Sequence, residues 1–223
     1  MKMSKKFILF TDFDGTISSE DFCAAMVKKF AREGWAELNR LWEEKLMSTE
    51  ECAQRTLELM DVEPEELEAF LKTIEIDPSF HSFVSWAEKK EYPLYILSDG
   101  YDNYIKEALN KYGLALPYYA NHMEYDRGWK IRCSYLDEVC DKCGVCKTGL
   151  IKKLAQPSYT SVYIGDGYSD ICPAEYCDIV FAKKNLALLC QQKGINFCPY
   201  NDFNDVRKAI CIFSHSSPSP AKS

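Results

Sequence analysis

The sequence predicts a doubly wound α/β fold with a mostly parallel sheet, a helical insertion after the first strand and a small β-hairpin. Three observations carry this expectation. Runs rich in Ile, Leu, Val, Tyr and Phe end abruptly in acid at Phe7–Asp12, Tyr92–Asp99 and Ser161–Asp166, as suits strands buried on both faces. The segments between later runs carry helical spacing, so strand and helix alternate. Residues 18 to 77 break that alternation with helical patterns and no convincing strand.

The elements follow in chain order. Phe7–Asp12 is the first strand. In the insertion, Ser18 with Asp21 and Ser48 with Glu51 resemble capping boxes, Pro64 suits a first helical turn, and Phe22, Ala25, Met26 and Phe30 mark one apolar face. Such a unit can close over the strand ends as a cap. After the strand Tyr92–Asp99, apolar Tyr104, Ile105, Ala108, Leu109 and Tyr112 precede Gly113, a helix with its stop signal. Tyr119–Tyr125 and Trp129–Tyr135 flank Asp126-Arg127-Gly128 as a hairpin. Lys147–Leu154 reads as a helix, Ser161–Asp166 as a strand, and Asp178–Ala182 and Ile195–Cys198 as two more strands. The expected division is a core of residues 1–17 and 78–213, a helical cap of residues 18–77, and a polar, Pro/Ser-rich disordered tail of residues 214–223.

Composition removes several function classes. With 27 Lys+Arg against 34 Asp+Glu, the net charge of -7 offers no basic field to gather a polyanion, so no nucleic acid is expected as partner. No apolar stretch reaches the ~18 residues of a membrane span, and the run Phe7–Phe10 meets Asp12 too early for a signal sequence. Eleven Cys in 223 residues lie below the ~8–10% of a disulfide scaffold, and an odd number cannot all pair. A reducing, cytoplasmic setting is expected.

In an open α/β sheet ligands sit beyond the carboxyl ends of the strands, where the acids fall. Asp12-Phe13-Asp14-Gly15-Thr16 places two carboxylates two residues apart at a strand end. Both facing one pocket is costly unless a cation shares it, and hard oxygen ligands with open positions suit Mg²⁺. Asp12 can then attack phosphorus while Asp14 supplies a proton to the leaving oxygen. Alone, an Asp-x-Asp-Gly is more often a turn. Here Ser98 ends the second strand, Lys147 opens a helix, and Gly165-Asp166-Gly167-Tyr168-Ser169-Asp170 ends another strand. Hydroxyl, ammonium and a further acidic pair are what phosphoryl transfer needs. A turn serine, a solvated lysine and an acidic loop explain each singly, but not their joint order on alternating strands.

With these residues the chain resembles the haloacid dehalogenase superfamily of phosphatases across about residues 5–212. The four motifs match as Asp12-Phe-Asp14-Gly-Thr16, Ser98, Lys147 and Gly-Asp166-Gly-Tyr-Ser-Asp170. The resemblance implies a Rossmann-like core with a helical cap, and an aspartyl-phosphate on Asp12 with Asp14 as general acid and then base. It implies Ser98 and Lys147 holding the phosphoryl group, Mg²⁺ bound by Asp12, the Asp14 carbonyl and Asp166, and Asp170 hydrogen-bonding around it. Within the superfamily the chain is similar to the phosphoserine phosphatase-type branch, and inside it to the 2-hydroxy-3-keto-5-methylthiopentenyl-1-phosphate phosphatases of methionine salvage. Ser98–Ile105, Cys143-Gly-Val-Cys-Lys147 and Asp77–Phe80 ahead of Phe83 carry the closer match. The implied partner is a small phosphorylated metabolite.

Phosphoserine is the alternative substrate, because Asp21 and Arg55 fall near the cap Glu and Arg that grip the amino acid, with Gly100 a further substrate-side candidate. Phosphoethanolamine and phosphocholine phosphatases share the Cys-rich lead-in to Lys147. A phosphomutase on the same scaffold, or a Cys-rich metal-binding or interaction protein, are the competing classes. For the latter, Cys140-x-x-Cys143-x-x-Cys146 with Cys133 upstream offers thiolates for zinc or iron–sulfur. Three thiols crowding one short loop lack the second, separated pair of a zinc knuckle, so no such metal is expected. Cys172, Cys177, Cys190, Cys198 and Cys211 read as small buried side chains, and Trp35 and Trp42 as packing more than lining.

Overall fold

The computed structural model describes residues 5–137 and 143–215. Seven strands, β1 (Lys6–Thr11), β2 (Leu94–Tyr101), β3 (Tyr118–Tyr125), β4 (Trp129–Arg132), β5 (Tyr159–Gly165), β6 (Ile179–Ala182) and β7 (Cys198–Pro199), form one sheet in the order β4-β3-β2-β1-β5-β6-β7. Every pairing is parallel except β3 with β4. Phe7, Ile8, Leu9 and Phe10 are all fully buried, because the central strand is covered on both faces and alternation would bury polar groups. Thr11 lies opposite Ile96 of β2 and Ile164 of β5. That register brings the acids at the ends of these three strands to one edge of the sheet. From β1 the chain builds outward on one side through β2 and on the other through β5, which leaves a crevice at the reversal.

The helices are α1 (Phe22–Phe30), α2 (Trp35–Glu43), α3 (Thr49–Leu57), α4 (Pro64–Leu71), α5 (Phe80–Lys89), α6 (Asp102–Lys111), α7 (Lys147–Leu154), α8 (Ile171–Tyr176), α9 (Lys184–Lys193) and α10 (Phe203–His215). The first four form the insertion. Its two ends run side by side: Ser18 bridges Ile76, Ser19 N donates to Glu75 O, and Asp77 N to Ile17 O. Phe22 stacks on Phe70 at 4.9 Å and meets the edge of Tyr104 at 5.4 Å, so the insertion packs through aromatic rings onto α6. α6 buries the expected Tyr104, Ile105, Ala108 and Leu109.

Several local expectations change. Asp21, not Ser18, caps α1, its carboxylate accepting from Ala24 N at 2.8 Å. Ser18 instead fixes the turn after β1, accepting from Gly15 N and donating to Glu20 O. Ser48 does cap α3 through Glu51 N, and Pro64 sits in the first turn of α4. The hairpin is the edge of the main sheet, since β3 pairs with β2. The strand expected at Ile195–Cys198 shrinks to the two residues of β7. Ser214 and His215 continue α10, and residues 216–223 lie outside the described residues, as does Cys140. Cys177 and Cys190 are buried, but Cys172 is exposed.

Candidate active site

Asp12 follows β1 directly, and its Oδ1 accepts from Lys147 Nζ at 2.6 Å. Lys147, the first residue of α7, is almost fully buried and also donates to Asp170 Oδ1 at 2.6 Å and Ser169 Oγ at 3.0 Å. Burial works to lower the Lys147 pKa, but Asp12, Asp170 and Asp99 together hold it above the ordinary lysine range. Burial and then the charges of Asp170 and Asp166 push Asp12 well above the usual carboxylate value, against Lys147. Oxygens of Asp12, Asp166 and Asp170 lie within 4.8 Å of one another.

Asp14 is built differently. Its Oδ1 accepts from Cys23 N at 3.1 Å, and its Oδ2 from Tyr104 Oη at 2.5 Å and Ser98 Oγ at 3.4 Å. Burial, followed by the charge of Asp21, raises its pKa to about 7. A carboxyl near 7 can give and take a proton at neutral pH, whereas an ordinary aspartate is already ionised. A Cβ on Gly100 would overlap both the Tyr104 hydroxyl and Asp14 Oδ2, so glycine there lets the two meet.

A cavity of about 460 Å³ opens over these groups. The core side contributes Asp12, Asp14, Ser98, Gly100, Asp166 and Lys184. The insertion side contributes Asp21 and Cys23 of α1 and its cap, Trp35, Trp42 and Glu43 of α2, and Cys52 of α3. Arg55 does not join them. It lies exposed on α3, paired with Glu51 at 3.2 Å. Of the residues expected at the site, the structure brings together Asp12, Asp14, Asp21, Ser98, Gly100, Lys147, Asp166 and Asp170, and leaves Arg55 outside.

A model of the haloacid dehalogenase-like hydrolases matches residues 9–175. The chain belongs to that family. A 2-hydroxy-3-keto-5-methylthiopentenyl-1-phosphate phosphatase from Geobacillus kaustophilus (strain HTA426) is 32% identical over 216 residues, 93% of this chain and 97% of its own. One of the same name from Lysinibacillus sphaericus (strain C3-41) is 29% identical over 213 residues, 91% and 93% of the two chains. Among solved structures, a phospho-aspartyl intermediate analogue of phosphoserine phosphatase matches with a TM-score of 0.67 at 19% identity, covering 92% of this chain and 99% of that one. A probable phosphoserine phosphatase from Vibrio cholerae matches at 0.69 and 16% identity, covering 94% and 64%. At those identities the likeness shows the fold.

The phosphatase's acidic cluster fits a divalent cation. Thr16 Oγ1 donates to Asp166 Oδ1 at 3.1 Å, and burial and then Asp170 raise the Asp166 pKa. Three carboxylates crowd one point, with Lys147 and Lys184 the cations paired to them among the described residues, and Asp12 and Asp166 are the hard oxygen donors that Mg²⁺ takes. Asp170 accepts four hydrogen bonds, from Lys147 Nζ, Tyr163 Oη, Asp166 N and Gly167 N. Its lone pairs are therefore spoken for, which leaves it to orient the cluster.

Sequence reasoning missed three participants: Tyr104, Tyr163 and Lys184. Lys184 Nζ bridges Gly15 O and Asp166 Oδ2, both at 2.9 Å. Gly15 has φ +68°, and a Cβ there would overlap Asp166. The available signal for Lys184 was its place two residues past the end of β6, at the same sheet edge as the acids. No helix among the described residues is long and apolar enough to cross a membrane.

Proposed function

We propose that the protein is a Mg²⁺-dependent phosphomonoesterase of the reducing cytoplasm. It transfers the phosphoryl group to Asp12 and prefers a small, uncharged, sugar-like ester, such as the enol-phosphate in the names of its bacterial relatives. Lys147 holds one oxygen of Asp12, which lines the cavity, and the other oxygen is the one that attacks phosphorus. The ester oxygen leaves with the proton of Asp14, which near pKa 7 carries one at neutral pH. Asp14 then takes a proton from water, whose oxygen attacks phosphorus and returns Asp12 as carboxylate with phosphate released. Ser98 Oγ and Lys147 Nζ supply donors to the phosphoryl oxygens. Asp12, the Asp14 carbonyl and Asp166 would hold Mg²⁺, and that charge would offset the negative charge of the phosphoryl group during transfer.

The observation that carries the substrate choice is the insertion side of the cavity. It offers Asp21, Glu43, two tryptophans, the neutral polar Asn39, Thr49 and Thr56, and apolar or thiol side chains, with no Lys or Arg among the described residues that line it. Against this wall a phosphoserine carboxylate would meet acids with no cation opposite, at a cost of several kcal/mol. The two indoles and Cys52 instead suit an apolar thioether end. A second reading rests on the same wall: acids beside Trp35 and Trp42 also favour a cationic alcohol such as choline.

The test is kcat/KM with Mg²⁺ for the enol-phosphate, phosphoserine, phosphoethanolamine and phosphocholine. The enol-phosphate is expected first. Phosphocholine first would install the second reading, and phosphoserine first would overturn both.

A further inference from the structure

Ser98, Asp99 and Gly100 lie on a bulge of β2. Leu97 stands opposite Tyr119 of β3 and Tyr101 opposite Asn121, so β2 advances four residues while β3 advances two. A bulge takes backbone groups out of the ladder and re-aims side chains. One of those groups regains a partner from a side chain: Asn121, fully buried, donates from Nδ2 to Asp99 O at 2.7 Å. Asp99 is thereby fixed at its own backbone, and its carboxylate reaches a different segment, where Oδ1 accepts from Val145 N at 2.8 Å.

Val145 is buried and stands two residues before Lys147. Its carbonyl accepts from Lys147 N at 2.9 Å, while Cys146 N donates to Tyr135 O at 2.9 Å. The lead-in to α7 is therefore held from two sides, by Tyr135 through the backbone and by the Asp99 carboxylate. We propose that Asp99 is a positioning residue for phosphoryl transfer, whose carboxylate sets the place of Lys147 through Val145 and does not read the alcohol of the substrate. This role rests on Lys147 holding the phosphoryl group.

Three features support it. The Lys147 side chain is almost fully buried with its ammonium 2.6 Å from both Asp12 and Asp170, so a shift at the start of α7 carries directly to the group that meets the phosphoryl oxygens. Gly144, next to Val145, packs on the amide that holds Asp99: a Cβ there would stand 2.9 Å from Asn121 Nδ2 and 3.1 Å from its Oδ1. The two charges are also tied, since Lys147 lowers the Asp99 pKa against the rise from burial, and Asp99 is one of three carboxylates that raise that of Lys147.

The experiment compares Asp99→Ala with Asp99→Asn, reading kcat/KM for the same four esters and the inhibition constant of inorganic phosphate. Asp99→Ala leaves Val145 N without its acceptor. Its kcat/KM should fall about 100-fold, the scale of a misplacement of about 1 Å, by one common factor for every ester. Phosphate inhibition should weaken by about tenfold or more, because the product loses a well-placed ammonium. Asp99→Asn keeps an acceptor for Val145 N and should stay within about tenfold of wild type. A loss confined to one ester would make Asp99 a reader of the alcohol, and equal losses in the two variants would assign the effect to charge; either result overturns the proposal. So does a folded Asp99→Ala with a lowered Tm and unchanged phosphate inhibition, the mark of a structural residue. Lys147→Ala separates this role from the one beneath it. Phosphate inhibition weakened there but not in Asp99→Ala overturns the positioning role alone, and inhibition unchanged in both overturns the grip of Lys147 as well. The Asp99 pair decides the matter even if Lys147→Ala fails to fold.

Discussion

Replacing Tyr104 with Phe removes one donor from the group proposed to handle the proton. Tyr104 is fully buried, and its hydroxyl donates to Asp14 Oδ2 at 2.5 Å, which favours the carboxylate and so lowers the Asp14 pKa. Burial and Asp21 outweigh it and leave the value at about 7. A hydrogen bond to a charged group contributes about 1.5–3 kcal/mol, and one pKa unit is about 1.4 kcal/mol. Cys23 N and Ser98 Oγ remain on the carboxyl, so a rise of roughly one unit is expected in Tyr104→Phe. Asp14 must be protonated to serve the leaving oxygen. For an alkyl phosphate, kcat/KM therefore falls as pH rises through that pKa, and the alkaline limb of the variant should move up by about one unit. The assay is kcat/KM against pH for both proteins on one poor-leaving-group ester. An unmoved limb, or one displaced toward acid, would refute the assignment of Tyr104 and Asp14.

Gly100→Ala should lose activity by more than about tenfold, because its Cβ would overlap Tyr104 Oη and Asp14 Oδ2; steady-state kinetics check it, and wild-type rates would contradict it. Arg55→Ala should leave kcat/KM unchanged for every ester, since Arg55 pairs with Glu51 on an exposed face; a selective loss on phosphoserine would restore it to the substrate site. Lys147→Ala leaves Asp12 and Asp170 buried without their shared cation, so denaturant unfolding should show a loss of about 3–5 kcal/mol, and a loss under about 1 kcal/mol would count against the buried network. Burial holds the Asp14 pKa at about 7 against 3.8, with Asp12 and Asp166 also raised. The folded chain then binds more protons than the unfolded chain across that window, and stability falls as pH rises through it. Mg²⁺ relieves the ionised cluster, so its Tm increment by calorimetry should be larger at about pH 8 than at about pH 6; the reverse order would contradict a carboxylate site.

Much of the architecture was legible because a central parallel strand has no choice but to be apolar throughout. Phe7–Phe10 could be nothing else, and the acids that end such strands mark the reactive edge of the sheet. Side chains that reach the site from helix interiors left no such mark. Tyr104 looks like one more apolar position of α6, and only the fold shows its hydroxyl turned to Asp14. Arg55 lies outside the cavity for the converse reason: a place within the cap segment did not fix which face of α3 it would occupy, and it stands exposed beside its helical neighbour Glu51. At α1 two nearby candidates competed for the cap, and Ser18 was already committed to the turn that carries Gly15. Cys172 was misjudged because burial of free cysteine is a tendency of the residue, while α8 places this one outside.

The measurement that tests the central claim most directly is a rapid acid quench of the enzyme turning over a ³²P-labelled ester, followed by peptide mapping. Label should appear on the peptide carrying Asp12, be released by hydroxylamine as an acyl phosphate, and be absent from Asp12→Asn, which should also lack turnover. Label on another residue, or an Asp12→Asn rate within about tenfold of wild type, some 1.4 kcal/mol of barrier, would contradict it.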